Sequence, residues 1–497
     1  MILREGITMK YKVYGIISIC LAFVVIASSL WFLKSDEKER YHQHLMAEPK
    51  SACSHSDELF CTHLPLIQID TEGIAIPGKV YNEDYAHPTV TEDGKTEIIC
   101  DFQLIDNKKT NNHTTDSATI KSQAYINVRG RSSRAFDKSS YEIRLITQQG
   151  DNNPQPLIDM EPHHEWVLHG PFLDKTLIRN YMWYNIAGEI MDYAPNVRFC
   201  EVMINGEYMG LYVLAENITA GENGARLNLS VDKKDNSFTG YLLRMDQGST
   251  NPIKNIDTFS VYSKRFPNKV DIIYPGASNL TPEIAESIRQ DFSQFEKAIY
   301  SFDYDSKEYG YETMIDIRSF VDYFIINELT LNYDAGWLST YIYKDIDGKY
   351  KMCIWDFNSA CDNYQDTYLK PSNLQFQYNV WYVMLMKDEK FVEKIINRYY
   401  ELRKTYLNEE YLNSYIDETI EYLGDAVQRN LEKWGYSFEE EYDLLRPAER
   451  NPRNYEEAKS LLKNALKQRG DWLDKNIHTL RQYAAESKVK KYNEHTD

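Results

Sequence analysis

"NELTLNYDAGWLSTYIYKDIDGKYKMCIWDFN", residues 327–358, decides how the chain is read. It opens as the end of a helix, which stops in a loop holding Asp334 and Gly336. A hairpin follows, turning at Asp347-Gly348, a favoured pair for a tight turn. Asp356 emerges where the second strand ends, so the hairpin carries it back towards Asp334. Two acids placed in this way suit a division of labour. One carboxylate orients or deprotonates a hydroxyl, and the other offers oxygen to a hard cation. The same residues also suit a turn cap and a strand end, and this stretch alone leaves both readings open.

Upstream, Ile317, Phe320, Val321 and Phe324 recur at helical spacing, predicting a helix over 315–331; another is predicted over 281–301. Strands are predicted at "LPLIQID" (64–70), "GIAI" (73–76), "AYINVRG", "SYEIRLI", "HHEWVLHG", "TGYLLRMD" and "KVDIIYP". "RFCEVMINGEYMGLYVLAEN" reads as a hairpin closed by Asn205-Gly206, a type I′ signal. Asp174 is placed as the N-cap of a helix over "KTLIRNYMWYNIAGEIM". From about residue 371 the pattern is helical. Sheet first and helix second predicts an α+β protein of two lobes with a cleft between them.

The chain has 497 residues, with a net charge of −19. That charge argues against nucleic acid, whose binding rests on neutralising phosphates. Residues 14–33, "YGIISICLAFVVIASSLWFL", hold no charge over 20 positions, enough to cross a bilayer as a helix. Arg4, Lys10 and Lys12 precede them, so residues 1–13 are expected in the cytoplasm and the body outside it. The expected location is the cell membrane, single-pass; the alternative is secretion after cleavage of a signal peptide. Residues 34–61 read as a linker, 62–480 as the folded body and 481–497 as a polar tail. Six cysteines lie outside the apolar segment, and Cys53/Cys61 and Cys353/Cys361 are spaced for local disulfides. No cysteine–histidine cluster has zinc spacing.

"NVRGRSSRAFDKSSYEIRL", residues 127–145, is a cationic island in this acidic chain. A hydroxyl-rich turn with Arg129, Arg131, Arg134 and Lys138 suits phosphate oxygens. It equally suits a polar hairpin loop whose arginines form surface ion pairs, and it is neither a P-loop nor a GxGxxG motif.

Protein kinases follow the same order of catalytic acid, short strand pair and metal-binding acid. "RGRSSRAFDKSSYEIRL", "FLDKTLIRN", "NGEYMGLYVLAEN", "GYLLRMD", "YFIINELTLNYDAGWLSTYIYKD" and "WDFNSACDN" occur in this order, with "RGDWLDKNI" near the end. The chain thereby resembles the CotH kinases, a spore-coat family with an atypical protein-kinase-like fold, over roughly residues 62–480. The resemblance implies a transferase that moves the γ-phosphoryl of ATP to Ser or Thr of surface or coat proteins, with Mg²⁺. Asp334 matches the catalytic acid and Asp356 the metal-binding acid. Lys138 is assigned the phosphate contact, with Arg129, Arg131 and Arg144 as rivals and Glu216 as its ion-pair partner. Asp174, Arg179 and Asn180 match a family motif that helix capping also explains. Where the spore-coat members carry an Asn after the catalytic acid, Ser339 or Thr340 stands in. After Asp356, Asn358 and Asp362 replace an acid or glycine, and Asn358 is assigned as a second oxygen ligand. The fold also accommodates an inactive surface adhesion or assembly protein and, more remotely, a metal-dependent phosphoesterase.

Overall fold

The computed structural model describes residues 40–51, 60–220, 226–227, 229–230, 239–258, 269–365 and 370–485. The apolar stretch 14–33, Cys53 and most of the polar tail fall outside them. Among the described residues no helix is long and apolar enough to cross a membrane. Inside the stretch read as a linker, a short helix α1 (Gln43–Met46) joins the unit that runs from His42 onward.

Strands dominate the first half: β1 (Cys61–Thr62), β2 (Leu66–Asp70), β3 (Ile98–Ile105), β4 (Asn112–His113), β5 (Ile120–Arg129), β6 (Ser140–Ile146) and β7 (Glu165–His169). After helix α2 (Arg179–Ile190) come β8 (Val197–Ile204) and β9 (Glu207–Glu216). β2, β3, β5, β6, β7, β9 and β8 close into a barrel, sealed by parallel pairing of β2 with β8. Side chains alternate across a strand, so every second residue points inward. Ile67 and Ile69, Phe102 and Leu104, Ile126 and Val128, Ile143 and Leu145, and Val202 and Ile204 fill the interior. The outward residues Val167, Phe199, Leu211, Val213 and Ala215 join a second core shared with the helices, so both halves are packed on one apolar mass.

The sheet of the second half contains β10 (Tyr241–Asp246), β11 (Asn255–Ile256), β12 (Lys269–Tyr274), β13 (Thr340–Lys344) and β14 (Lys351–Cys353), in the order β11-β12-β10-β13-β14. Helices α3 (Pro282–Tyr300) and α4 (Ile317–Thr330) precede β13. Then come α5 (Tyr382–Leu385), α6 (Glu389–Leu402), α7 (Glu409–Leu423), α8 (Asp425–Trp434) and α9 (Tyr455–Asn476). This is a mixed α+β fold, sheet-rich first and helical second. α4 is buried continuously from Ser319 to Thr330 rather than along one stripe, because sheet and helices both cover it.

Three local expectations need correction. Residues 73–76 form no strand; Thr71 accepts from the Ile74 amide in a tight turn. Asp174 is not the N-cap of α2. Its carboxylate takes the amides of Thr176 and Arg179 (3.0 and 2.8 Å) and folds an extra turn ahead of the helix. Cys361 is a free buried thiol, so the Cys353/Cys361 disulfide is not formed.

Candidate active site

Strand register places the acids. Met245 of β10 faces Thr340 of β13, and Tyr341 of β13 faces Cys353 of β14. The end of β10, the start of β13 and the end of β14 therefore share one end of the sheet. Asp246 closes β10, Asp334 lies in the loop entering β13, and Asp356 lies three residues beyond β14.

The Asp334 loop is wound tightly. Its carbonyl accepts from the amides of Trp337 and Leu338 (3.3 and 2.8 Å), and the Gly336 amide donates to Thr340 Oγ1 at 2.7 Å. Gly336 has φ +86°, and a β-carbon there would meet Asn379 Nδ2 at 2.7 Å. Asp356 is held at its backbone: its amide donates to the Tyr184 hydroxyl (3.0 Å), and its carbonyl accepts from Asn332 Nδ2 (3.2 Å). Leu331, Ser339, Asp356, Cys361 and Asp362 all have positive φ. Such backbone is uncommon outside glycine and gathers where surrounding structure enforces it.

Both acids are half-buried, with water at their edges and protein around the rest. Burial, then the charges of Asp356 and Asp246, pushes the Asp334 carboxyl up to about 7. Burial also raises Asp356, against the opposing pull of Arg129 and two hydrogen bonds from Asn358. Arg129, at the end of β5, lays its guanidinium 5.5 Å from the centre of the Trp355 ring. The barrel thus delivers a cation to the carboxylates of the second sheet.

The polarity of the amide chain behind Asp356 follows from its first donor. The Phe357 amide can only donate, to Asn180 Oδ1 at 2.8 Å. Asn180 Nδ2 then donates to Asn358 Oδ1 (3.1 Å), and Asn358 Nδ2 donates to Asp356 Oδ1 (2.9 Å). The oxygen assigned to a metal is thus engaged by Asn180, and Asn358 orients Asp356. Asn180, matched only as a motif residue, is the origin of that orientation.

Lys138 is not with the acids. Its fully buried ammonium donates to the Leu211 carbonyl (2.6 Å) and Asn430 Oδ1 (2.7 Å), 5.0 Å from the Tyr212 ring centre. Burial drives it far below the usual lysine range. Glu216 accepts from the Asn196 amide at 2.8 Å, and its charge acts on Arg226. Leu211 and Glu216 stand five residues apart on β9, about 17 Å at strand rise, so Lys138 and Glu216 form no pair. Arg131 is exposed, and Arg144 pairs with Glu97 at 3.0 Å. Thr340 holds the Gly336 turn, and Asp362 pairs with Arg450 at 2.9 Å. Arg179 pairs with Asp174 and donates to the Ala360 carbonyl (3.0 Å), bracing the chain after Asp356.

Three residues escaped sequence reasoning: Asp246, Asn332 and Tyr184. Asp246 ends "GYLLRMD" as Asp356 ends "KMCIWD", a parallel that was available; nothing local marks Tyr184. Asn332 is 3% exposed, and its Oδ1 is buried with no hydrogen-bond partner. Asp334, raised by burial and by the charges of Asp356 and Asp246, and the orphaned amide oxygen of nearby Asn332 make up an oxygen-only donor set. Such a set fits Mg²⁺ and leaves a softer metal without its preferred ligands.

Fold and site together define a mixed α+β protein with a carboxylate centre at a sheet end. Residues 126–473 match the family model described as CotH kinase protein, and the chain belongs to that family. By that description the family is one of kinases. No curated protein matches the chain.

Proposed function

We propose that the chain is a protein kinase that transfers the γ-phosphoryl of ATP to a Ser or Thr hydroxyl, on the far side of a membrane anchored by residues 14–33. The observation that carries this reading is the convergence of Asp334 and Asp356 at one sheet end, with Arg129 beside them. Asp334 accepts the hydroxyl proton: a carboxylate titrating at about 7 is matched to that task at neutral pH. Asp356, oriented by Asn358 and Tyr184, would hold Mg²⁺. When bound, that cation neutralises charge on the phosphates. Arg129 supplies a fixed positive charge to the phosphate oxygens. The expected kinase-like fold rests on family membership and this order of acids.

The test is transfer of label from γ-labelled ATP to the purified chain and added protein acceptors, with and without Mg²⁺. Mg²⁺-dependent label that vanishes in Asp356→Ala supports the reading; absence of label and of nucleotide binding in the wild type sinks it. One observation favours a second reading, a kinase-fold assembly protein without catalysis. Lys138 and Glu216 are engaged elsewhere, so neither supplies the Lys–Glu pair that protein kinases use on the phosphates. Partner binding without ATP turnover would favour it.

A further inference from the structure

We propose that Asp246 is a further carboxylate of the cation site, joining Asp356 beside the base Asp334; the proposal rests on the kinase reading above and extends it. The geometry is that of the sheet. β10 lies directly beside β13, and the Met245–Thr340 pair sets Asp246 opposite the loop that enters β13. That loop carries Asp334. On the far side of β13, β14 ends three residues before Asp356. Three consecutive strands thus bring one acid each to a single end.

The charges near these acids do not cancel. Arg129 faces Asp356, while Arg244 is drawn to Asp271 (3.6 Å) and Tyr341 as well as to Asp246. Asp246 Oδ1 accepts from the Gln247 amide at 2.8 Å, which leaves its second oxygen available. The acids outnumber the cations: Asp246, Asp334 and Asp356 share Arg129 and an Arg244 that Asp271 also draws, an unfavourable balance without a counter-ion.

An independent observation points to that ion. Asn332 bridges the two loops, with Nδ2 on the Asp356 carbonyl. Its Oδ1 is buried without a partner. A buried amide oxygen left unsatisfied on the residue that ties the Asp334 loop to the Asp356 backbone is what a divalent cation with oxygen ligands would satisfy. Asp246 also answers the loss noted after Asp356, where Asn358 stands in place of an acid: the missing negative charge is supplied from another strand.

The experiment is Mn²⁺ binding, with no nucleotide, to the full chain and to Asp246→Asn and Asp356→Asn, followed by electron paramagnetic resonance. Thermal unfolding of the metal-free forms runs alongside. Expected is a weakening of Mn²⁺ affinity by about ten-fold or more in each variant. The metal-free midpoint of Asp246→Asn should be unchanged or higher, because a like charge has been removed. If Asp246→Asn binds as wild type while Asp356→Asn does not, the proposal is overturned and the kinase reading stands. Both fail if neither variant changes binding, or if the wild-type chain holds no Mn²⁺ at millimolar ion. A lowered metal-free midpoint in Asp246→Asn would make the residue a structural partner of Arg244 and overturn the proposal.

Discussion

Asp334 keeps a proton at a pH where a solvated aspartic acid would have lost it. A base must be deprotonated to act, so activity should fall as pH drops below about 7 and level off above it. A pH profile of kcat/KM on a fixed peptide acceptor checks this. Asp334→Asn should remove that limb and lower turnover by about 10²- to 10⁴-fold. Lys175 is the opposite case. Its buried ammonium has no hydrogen-bond partner, stands 4.6 Å from the Phe172 ring centre, and is lowered by burial to about 8. The folded state binds this proton less tightly than the unfolded state, so stability should rise between pH 8 and 10.5. Lys175→Met should stabilise the chain at pH 7 by about 1 kcal/mol, read from chemical denaturation. Asp334 and Asp356 were legible because a loop and a strand end flank a recognisable hairpin. Lys138 was not. A lysine in a hydroxyl-rich turn reads as solvated, and it is the Leu211 carbonyl and Asn430, 73 and 292 residues away, that turn it inward.

At the level of elements, turns were read better than helix starts. Asn205-Gly206 and Asp347-Gly348 specify their turns locally, and both hairpins form where those pairs stand. α2 begins later than its apolar pattern implies, because Asp174 takes the amides that would have begun the helix. The same carboxylate pairs with Arg179 at 2.5 Å. Arg179→Ala would leave Asp174 buried without its cation and free the Ala360 carbonyl. About 3 kcal/mol of stability should be lost, measured by denaturant unfolding. Gly336→Ala should cost about 1 kcal/mol or more, since the site combines a left-handed backbone with no room for a β-carbon. Activity should fall further than stability, because the same turn carries Asp334.

Barrel closure is a property of the whole molecule, and the sequence has no local mark for it. Alternation identified the strands but could not say that β2 pairs with β8 in parallel, Leu66 with Glu201 and Ile69 with Ile204, 135 residues apart. Nor did the polar composition of residues 34–61 reveal that His42 bonds Glu189 (2.8 Å) and Tyr415 (3.0 Å). Gln43 acts there as a substitute strand. Its amide receives the Phe199 N–H at 2.6 Å and donates to the Phe199 carbonyl at 3.2 Å. Gln43→Ala should leave both groups unmet and destabilise the chain by about 1–3 kcal/mol, with faster hydrogen exchange at Phe199.

On the kinase reading, the strand pattern also limits how an acceptor protein could be gripped. A closed barrel offers no open edge, and the second sheet ends in strands of two and three residues, β11 and β14. Edges this short give an incoming peptide little backbone to pair with. Among the described residues, then, a polypeptide presenting its hydroxyl to Asp334 would be selected by side-chain fit and charge at the sheet end rather than by adding itself as a strand.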